Sequence, residues 1–195
     1  MFNGTVHVLV AGNVANRTFV GKYARTDFAS YLFWRESGFS DPASCDCFAT
    51  VLLLGRQGRL LAAKAAPHTL NAGLFVAPGG IIDERDVDID QNIDLTSYAM
   101  REVFEETGLR RREIRLDDGV WIARDGALIA MALVGRVSCS DDELVERIIA
   151  HNAQADDAEF AEVCWLDCDA LEPTQSTPHY LKLLMAEMGR RPRGD

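Results

Sequence analysis

The sequence lacks an excess of basic residues and a long apolar run, and each absence excludes a class of partner. Its 20 Lys and Arg are outnumbered by 30 Asp and Glu, which gives a formal net charge of -10 and a pI near 4.8. General binding of nucleic acid needs a positive surface, so we expect none. No apolar run approaches the roughly 20 residues of a membrane-spanning helix, so we also expect no membrane partner.

The cysteines are few and form no recognisable metal-binding pattern. There are five, and Cys45 and Cys47 make a C-x-C pair without a second pair to complete a zinc site. An odd number of cysteines is typical of reduced thiols in the cytoplasm. The N-terminus has neither the basic segment nor the apolar length of a signal peptide, so we expect a cytoplasmic location.

The order of predicted elements indicates a layered α/β or α+β fold. The chain has 195 residues, 48% of them hydrophobic, which suits one domain with a full core. Strands are predicted over 5–10, 48–54, 59–64, 74–77, 120–123, 127–137 and 162–167, and helices over 27–36, 94–107, 141–152 and 177–188. The strand over 48–54 is apolar almost throughout, which predicts burial on both faces between helices.

Three glutamates are concentrated in the segment 99–109. In a helix, Glu102 lies three and four residues before Glu105 and Glu106, so their carboxylates share one turn. The only cation inside this cluster is Arg101, and the like charges repel each other. Magnesium or manganese would neutralise them, because both metals bind carboxylate oxygens. The alternative is an acidic helix face exposed to water.

A glycine turn stands upstream of this helix. The predicted strand over 74–77 stops at Pro78, Gly79 and Gly80, where proline removes a donor and glycine permits close approach of the backbone. A strand, a glycine turn and a helix that carries acids form an arrangement suited to phosphate and metal. Residues 101–109 also match the R-E-U-x-E-E-x-G-U half of the Nudix box, where U is a bulky aliphatic residue. The chain therefore resembles the Nudix hydrolases over about residues 48–188, most strongly over 78–109.

The first half of the box departs from the family pattern G-x5-E-x7-R. Six residues after Gly80 the chain has Asp86 in place of glutamate, and Arg101 follows Gly80 by 21 residues where the motif has 14. The seven extra residues fall in the polar stretch 86–94, which reads as a loop. A longer surface loop costs little free energy, so the metal-binding half can survive it. Asp94 or Thr96 is expected to cap the helix, and we do not assign Asp86 as a ligand.

The resemblance implies an α/β/α sandwich with a mixed sheet, and a metal-dependent site. Mg²⁺ or Mn²⁺ would be held by Glu105 and Glu106, by Glu102 directly or through water, and by the backbone carbonyl of Gly79. Arg101 would point away from the metal and orient a glutamate through a bidentate ion pair.

The general base is left open between two carboxylates. Glu102 is one candidate, and Glu159, in the acidic loop before the strand at 162–167, is the other, with Glu162 and Asp157 behind it. This loop is equally well explained as a solvated acidic segment. His68, in the loop before the glycine turn, is more simply read as a surface residue than as part of the site.

The resemblance implies hydrolysis of a diphosphate linkage between a nucleoside and another group. Nucleotide sugars, ADP-ribose and coenzyme A all remain possible substrates, and the box insertion resembles a coenzyme A diphosphatase-like branch. The alternative function is a nucleotide-binding regulator without activity, but such proteins tend to lose the glutamates that this chain keeps.

Residues 1–40 are predicted to form an extension that packs on its own domain or dimerises, 41–188 the Nudix domain, and 189–195 a flexible tail. The family's habit of dimerising through such extensions favours a homodimer.

Overall fold

The described part of the chain, residues 3–168 and 176–190 of the computed structural model, forms ten strands and four α-helices. The strands are β1 (Thr5–Ala15), β2 (Thr18–Asp27), β3 (Asp46–Leu54), β4 (Leu60–Ala65), β5 (Phe75–Val76), β6 (Gly79–Gly80), β7 (Ile114–Leu116), β8 (Trp121–Asp125), β9 (Leu128–Val137) and β10 (Phe160–Leu166). The helices are α1 (Phe28–Glu36), α2 (Leu95–Thr107), α3 (Asp141–Asn152) and α4 (His179–Arg190). Among these helices none is both long and apolar enough to cross a membrane.

Eight of the strands form one mixed sheet. Its main path runs β10-β4-β3-β9-β7, with β8 paired to β9, β5 to β4 and β6 to β3. Strands β3 and β9 are parallel, and the other pairings are antiparallel. The predicted mixed sheet is therefore confirmed.

Helices cover both faces of this sheet. Along β3, Val51 and Leu53 face a core cluster that includes residues of α2 and α3, whereas Leu52 and Leu54 face a second cluster with residues of α4. Successive side chains of a strand point to opposite faces, so one apolar run supplies both cores. Burying each leucine stabilises the fold by roughly 2 kcal/mol. The α/β/α sandwich predicted from the resemblance is thus confirmed.

Strands β3 and β4 form a hairpin, but they separate after the turn. They pair directly only at Leu54 and Leu60. Beyond that point β5 and β6 lie between them, and the backbone N–H of Val51 donates to the carbonyl of Pro78 at 2.8 Å. This separation brings the glycine turn into the middle of the sheet.

The N-terminal segment forms a second, two-stranded sheet of β1 and β2, followed by α1. Strand β2 was not predicted, because Gly21 and Lys22 interrupt its apolar pattern. Reciprocal backbone hydrogen bonds of 2.9 and 2.8 Å between Leu9 and Cys45 attach β1 to the start of β3. Tyr31 of α1 is buried beside Val6 of β1.

The boundaries of α2 follow from its capping residues. Asp94 accepts hydrogen bonds from the backbone of Thr96 and Ser97, so it is the N-cap, and Gly108 ends the helix with φ 72°. A single 3-10 turn at Glu84–Asp86 precedes the inserted stretch. At the other end of the chain, α4 continues to Arg190, so the tail predicted from 189 does not begin there, and 191–195 lie outside the described residues.

Candidate active site

The glycine turn lies directly against the acidic face of α2. The backbone N–H of Gly79 donates to Oε2 of Glu106 at 2.9 Å, and Glu106 is only 6% exposed. A Cβ on Gly80 would overlap the carboxylate of Glu102, and one on Gly79 would overlap the carbonyl oxygen of Ala49. Both positions therefore require glycine for the carboxylates and β3 to approach this closely.

Tyr98 of α2 holds the same glycine turn in place. Its hydroxyl donates to the carbonyl of Gly80 and accepts a 3.4 Å hydrogen bond from the backbone N–H of Ala49. Tyr98 is 1% exposed. Sequence reasoning missed it, although it lies four residues before Glu102 and therefore on the same side of the helix.

The bidentate contact of Arg101 is with Asp86, whereas its ion pairs with glutamates, Glu102 and Glu105, are single contacts. Nη2 lies 2.8 and 2.9 Å from the two carboxylate oxygens, and Nε adds a third bond of 3.1 Å. Asp86 also accepts from the backbone N–H of Asp83 in a capping box that closes the 3-10 turn. The inserted loop begins after this turn, so Asp86 keeps its place beside α2.

The remaining contacts of Arg101 reach two of the three glutamates. It lies 2.7 Å from Glu102 and 2.9 Å from Glu105, and Arg85 approaches Glu105 at 3.2 Å. Among residues 3–168 and 176–190, no three His, Cys, Asp or Glu side chains are grouped as a ready metal site. Glu102 and Glu105 would have to turn from these arginines to share an ion with Glu106.

The electrostatics of the glutamates fit a divalent cation. Burial, opposed by Arg101 and reinforced by Glu105 and Asp86, raises the pKa of Glu102 to about 7. Burial, together with the charges of Glu159 and Glu102, raises the pKa of Glu106 well above its ordinary value. A cation among these oxygens would relieve both the desolvation and the repulsion. Glu102, Glu105 and Glu106 therefore carry hard oxygen donors of the kind that Mg²⁺ and Mn²⁺ bind.

These carboxylates line one wall of a cleft of about 670 Å³. Glu159, His68 and Asp157 are at its exposed rim, whereas Glu162 does not line it. Desolvation by the surrounding protein raises the pKa of Glu159, and the nearby His68 opposes this rise. His68 is thus a surface residue, as predicted, but it also borders the cleft. At the other end the cleft extends to Arg35 and Asp46, which sequence reasoning did not single out.

Comparisons with known proteins agree with this architecture. A family model described as the NUDIX domain matches residues 48–186. A crystal structure from Deinococcus radiodurans is 13% identical with a TM-score of 0.59, covering 95% of this chain and 99% of that one, which shows a shared fold.

Two further solved structures are also similar. The MutT protein of Methanosarcina mazei is 21% identical with a TM-score of 0.49, covering 74% of this chain and 92% of that one. The NUDIX domain of Shewanella oneidensis NrtR, crystallised with ADP ribose, is 19% identical with a TM-score of 0.46, covering 83% and 97%. A search of curated proteins gave no match.

Proposed function

The chain belongs to the Nudix hydrolase family, and we propose that it is a metal-dependent hydrolase that cleaves the diphosphate linkage between a nucleoside and another group. The observation that carries the proposal is the placement of Glu102 and Glu106 against the glycine turn, on the wall of a 670 Å³ cleft. Such a cleft holds a small molecule. Phosphate oxygens that enter the cleft would approach these carboxylates. A cation is therefore needed between the two sets of negative charges.

Glu105 and Glu106, with Glu102 directly or through water, and the carbonyl of Gly79 would hold Mg²⁺ or Mn²⁺. When bound, the metal supplies positive charge to the phosphates and lowers the pKa of a bound water. The protein's part is to present oxygen donors from a rigid helix beside a rigid turn. Arg101, tied to Asp86, keeps α2 and the 3-10 turn in fixed register and positions Glu102.

A carboxylate of this chain would accept the proton of the attacking water. Glu102 and Glu159 both line the cleft, and both have a raised pKa. A pKa of about 7 makes Glu102 suitable as a base near neutral pH. Glu159 lies at the rim of the same cleft, close enough for its charge to raise the pKa of Glu106.

A panel of nucleoside diphosphate compounds tests the proposed function. We expect Mg²⁺-dependent hydrolysis, followed as phosphate released by an added phosphatase, with at least one of ADP-ribose, nucleotide sugars and coenzyme A. The same compounds titrated in calorimetry report binding. Binding without turnover of any member would contradict the hydrolase and favour a nucleotide-binding regulator.

Metal affinity is expected to rise with pH through about 7, because two of the proposed ligands, Glu102 and Glu106, have a raised pKa. A protonated carboxyl does not coordinate a metal, so Glu102, with its pKa of about 7, must lose its proton first. Below that pH the apparent Mn²⁺ affinity should fall at least tenfold per unit, with Glu106 adding to the fall. Calorimetry between about pH 5.5 and 8 measures it, and an affinity that is constant over this range would refute the coupling.

The stability of the metal-free protein should change in the opposite sense. The folded pKa of Glu102 is raised, so the fold favours the protonated form. Its contribution to stability is complete below the ordinary value of 4.5 and is lost as pH rises through about 7. Melting curves without metal follow this loss.

A cytoplasmic homodimer, with residues 1–40 as an extension of the catalytic domain, is the assembly we propose. The odd number of cysteines supports the location, and the exposed Val14 and Val20 of the β1–β2 hairpin offer apolar surface to a second copy. A mass in solution of one 21.6 kDa chain would overturn the dimer.

A further inference from the structure

The floor of the cleft is one face of β3. Asp46, Phe48 and Thr50 alternate along this strand and therefore point to the same side, and all three line the cleft. Thr50 pairs with Gly79 beside the glutamates. Asp46 lies four residues away, which is about 13 Å along a strand. That separation matches the reach of an extended nucleoside diphosphate whose phosphates lie at the glutamates.

Asp46 is a buried carboxylate with one oxygen available to a ligand. It is 3% exposed, and its Oδ2 accepts a 2.7 Å hydrogen bond from the hydroxyl of Tyr31. No hydrogen bond to Oδ1 comes from any residue in the described ranges, 3–168 and 176–190. A polar atom of a cleft-lining residue that lacks a protein donor is suited to accept a hydrogen bond from a bound molecule.

The surroundings of Asp46 are fixed by α1. Arg35 donates to the Tyr31 hydroxyl at 3.2 Å and to Oδ1 of Asn71 at 2.9 Å, and its Nη1 lies 3.9 Å from Oδ2 of Asp46. Burial raises the pKa of Asp46, and the Tyr31 hydroxyl and the Arg35 guanidinium oppose that rise. The carboxylate is thereby held in one orientation beside a cation that also borders the cleft.

Aromatic rings flank the same end of the cleft. Phe48 and Tyr180 pack edge to face with centroids 5.0 Å apart, and Phe28 of α1 also lines it. Aromatic rings stack on nucleobases with little preference for one base over another. Tyr180, Asp46 and Glu106 all line the same cleft, so the metal end and this end are continuous.

We propose that this end of the cleft binds the nucleobase of the substrate, and that Asp46 selects bases that carry an exocyclic amino group. The proposal rests on the proposed function, because it places the diphosphate at the glutamates. A carboxylate only accepts hydrogen bonds, so it can take one from the amino group of cytosine or adenine. The oxo group of uracil or hypoxanthine would instead place a second acceptor against it.

The test uses substrate pairs that differ only in this group. With the full chain and Mg²⁺, we expect CDP-glucose to exceed UDP-glucose in kcat/KM by about 10- to 100-fold, and ADP-ribose to exceed its hypoxanthine counterpart similarly. The ratio should collapse toward one in Asp46→Asn, because an amide can turn either its oxygen or its NH₂ to the base. The asparagine oxygen can keep the bond from Tyr31, and Asp142→Asn, an exposed isosteric change on α3, is the control.

Each outcome decides the proposal. A ratio near one in the wild type overturns it without any variant, and so does an Asp46→Asn protein that loses activity equally on both members of a pair. A preference that follows the sugar and not the base assigns this end of the cleft to the other group. If no compound is hydrolysed, the hydrolase proposal fails separately, and calorimetry with CDP and UDP in Mg²⁺ still tests the base preference.

Discussion

Glu106→Gln is expected to lower kcat by roughly 100- to 1,000-fold while the metal-free fold keeps its stability or gains some. Glutamine keeps the shape of the side chain and can still accept the 2.9 Å hydrogen bond from Gly79. It removes a fully buried carboxylate whose pKa is raised by burial and by neighbouring acids, so the metal-free fold no longer bears that charge. Phosphate-release kinetics and thermal melting without metal measure the two effects.

The matched control is Glu84→Gln, at an exposed glutamate of the 3-10 turn that does not line the cleft. It should leave both kcat and melting temperature unchanged. Unaltered activity in Glu106→Gln would remove this residue from the site. A lower melting temperature of the metal-free variant would show that Glu106 serves the fold instead.

Alanine at the two glycines of the turn should separate stability from activity. In Gly80→Ala the new methyl overlaps the carboxylate of Glu102, the far end of a flexible side chain, which can move aside. We expect the fold to hold, and Mn²⁺ affinity and kcat/KM to fall by about 10- to 100-fold as with displaced metal ligands. In Gly79→Ala the methyl overlaps the backbone of Ala49, which cannot yield, so the protein should lose roughly 1–3 kcal/mol of stability.

Urea unfolding without metal and Mn²⁺ titration of each variant distinguish the two effects. The reverse pattern, with Gly80→Ala unstable and Gly79→Ala merely weak in metal binding, would show that the turn is held differently. Equal effects of the two substitutions on both measurements would mean that the close approach of Glu102 has no special role.

The sequence was sufficient for the parts of the site that are local. The spacing of Glu102, Glu105 and Glu106, the Asp94 cap and the terminating Gly108 are all set within one helix, and α2 forms as predicted. Periodicity and capping act over a few residues, which is why a single sequence reveals them. The burial of both faces of β3 was predictable for the same reason.

Partners that lie far apart in the chain were not predictable. The Arg101–Asp86 pair joins residues on the two sides of the insertion, so no local pattern predicts it. The capping box of Asp83 and Asp86, which fixes Asp86 in the structure, is local. Nor could the sequence show that α1, outside the region matched by the family, would bring Arg35 to the cleft. Its apolar residues predicted a helix, but its docking depends on tertiary packing.

The inserted loop is closed at its neck. Val87 and Ile93 form an isolated bridge, and Asp88 accepts backbone hydrogen bonds from Asp90 and Asn92 within it. The Asp86 anchor precedes this neck and the Asp94 cap follows it. Residues 88–92 can therefore be lengthened, shortened or fused to a reporter without shifting any group that meets substrate. Divergence among relatives can accumulate at that tip while the chemistry stays constant.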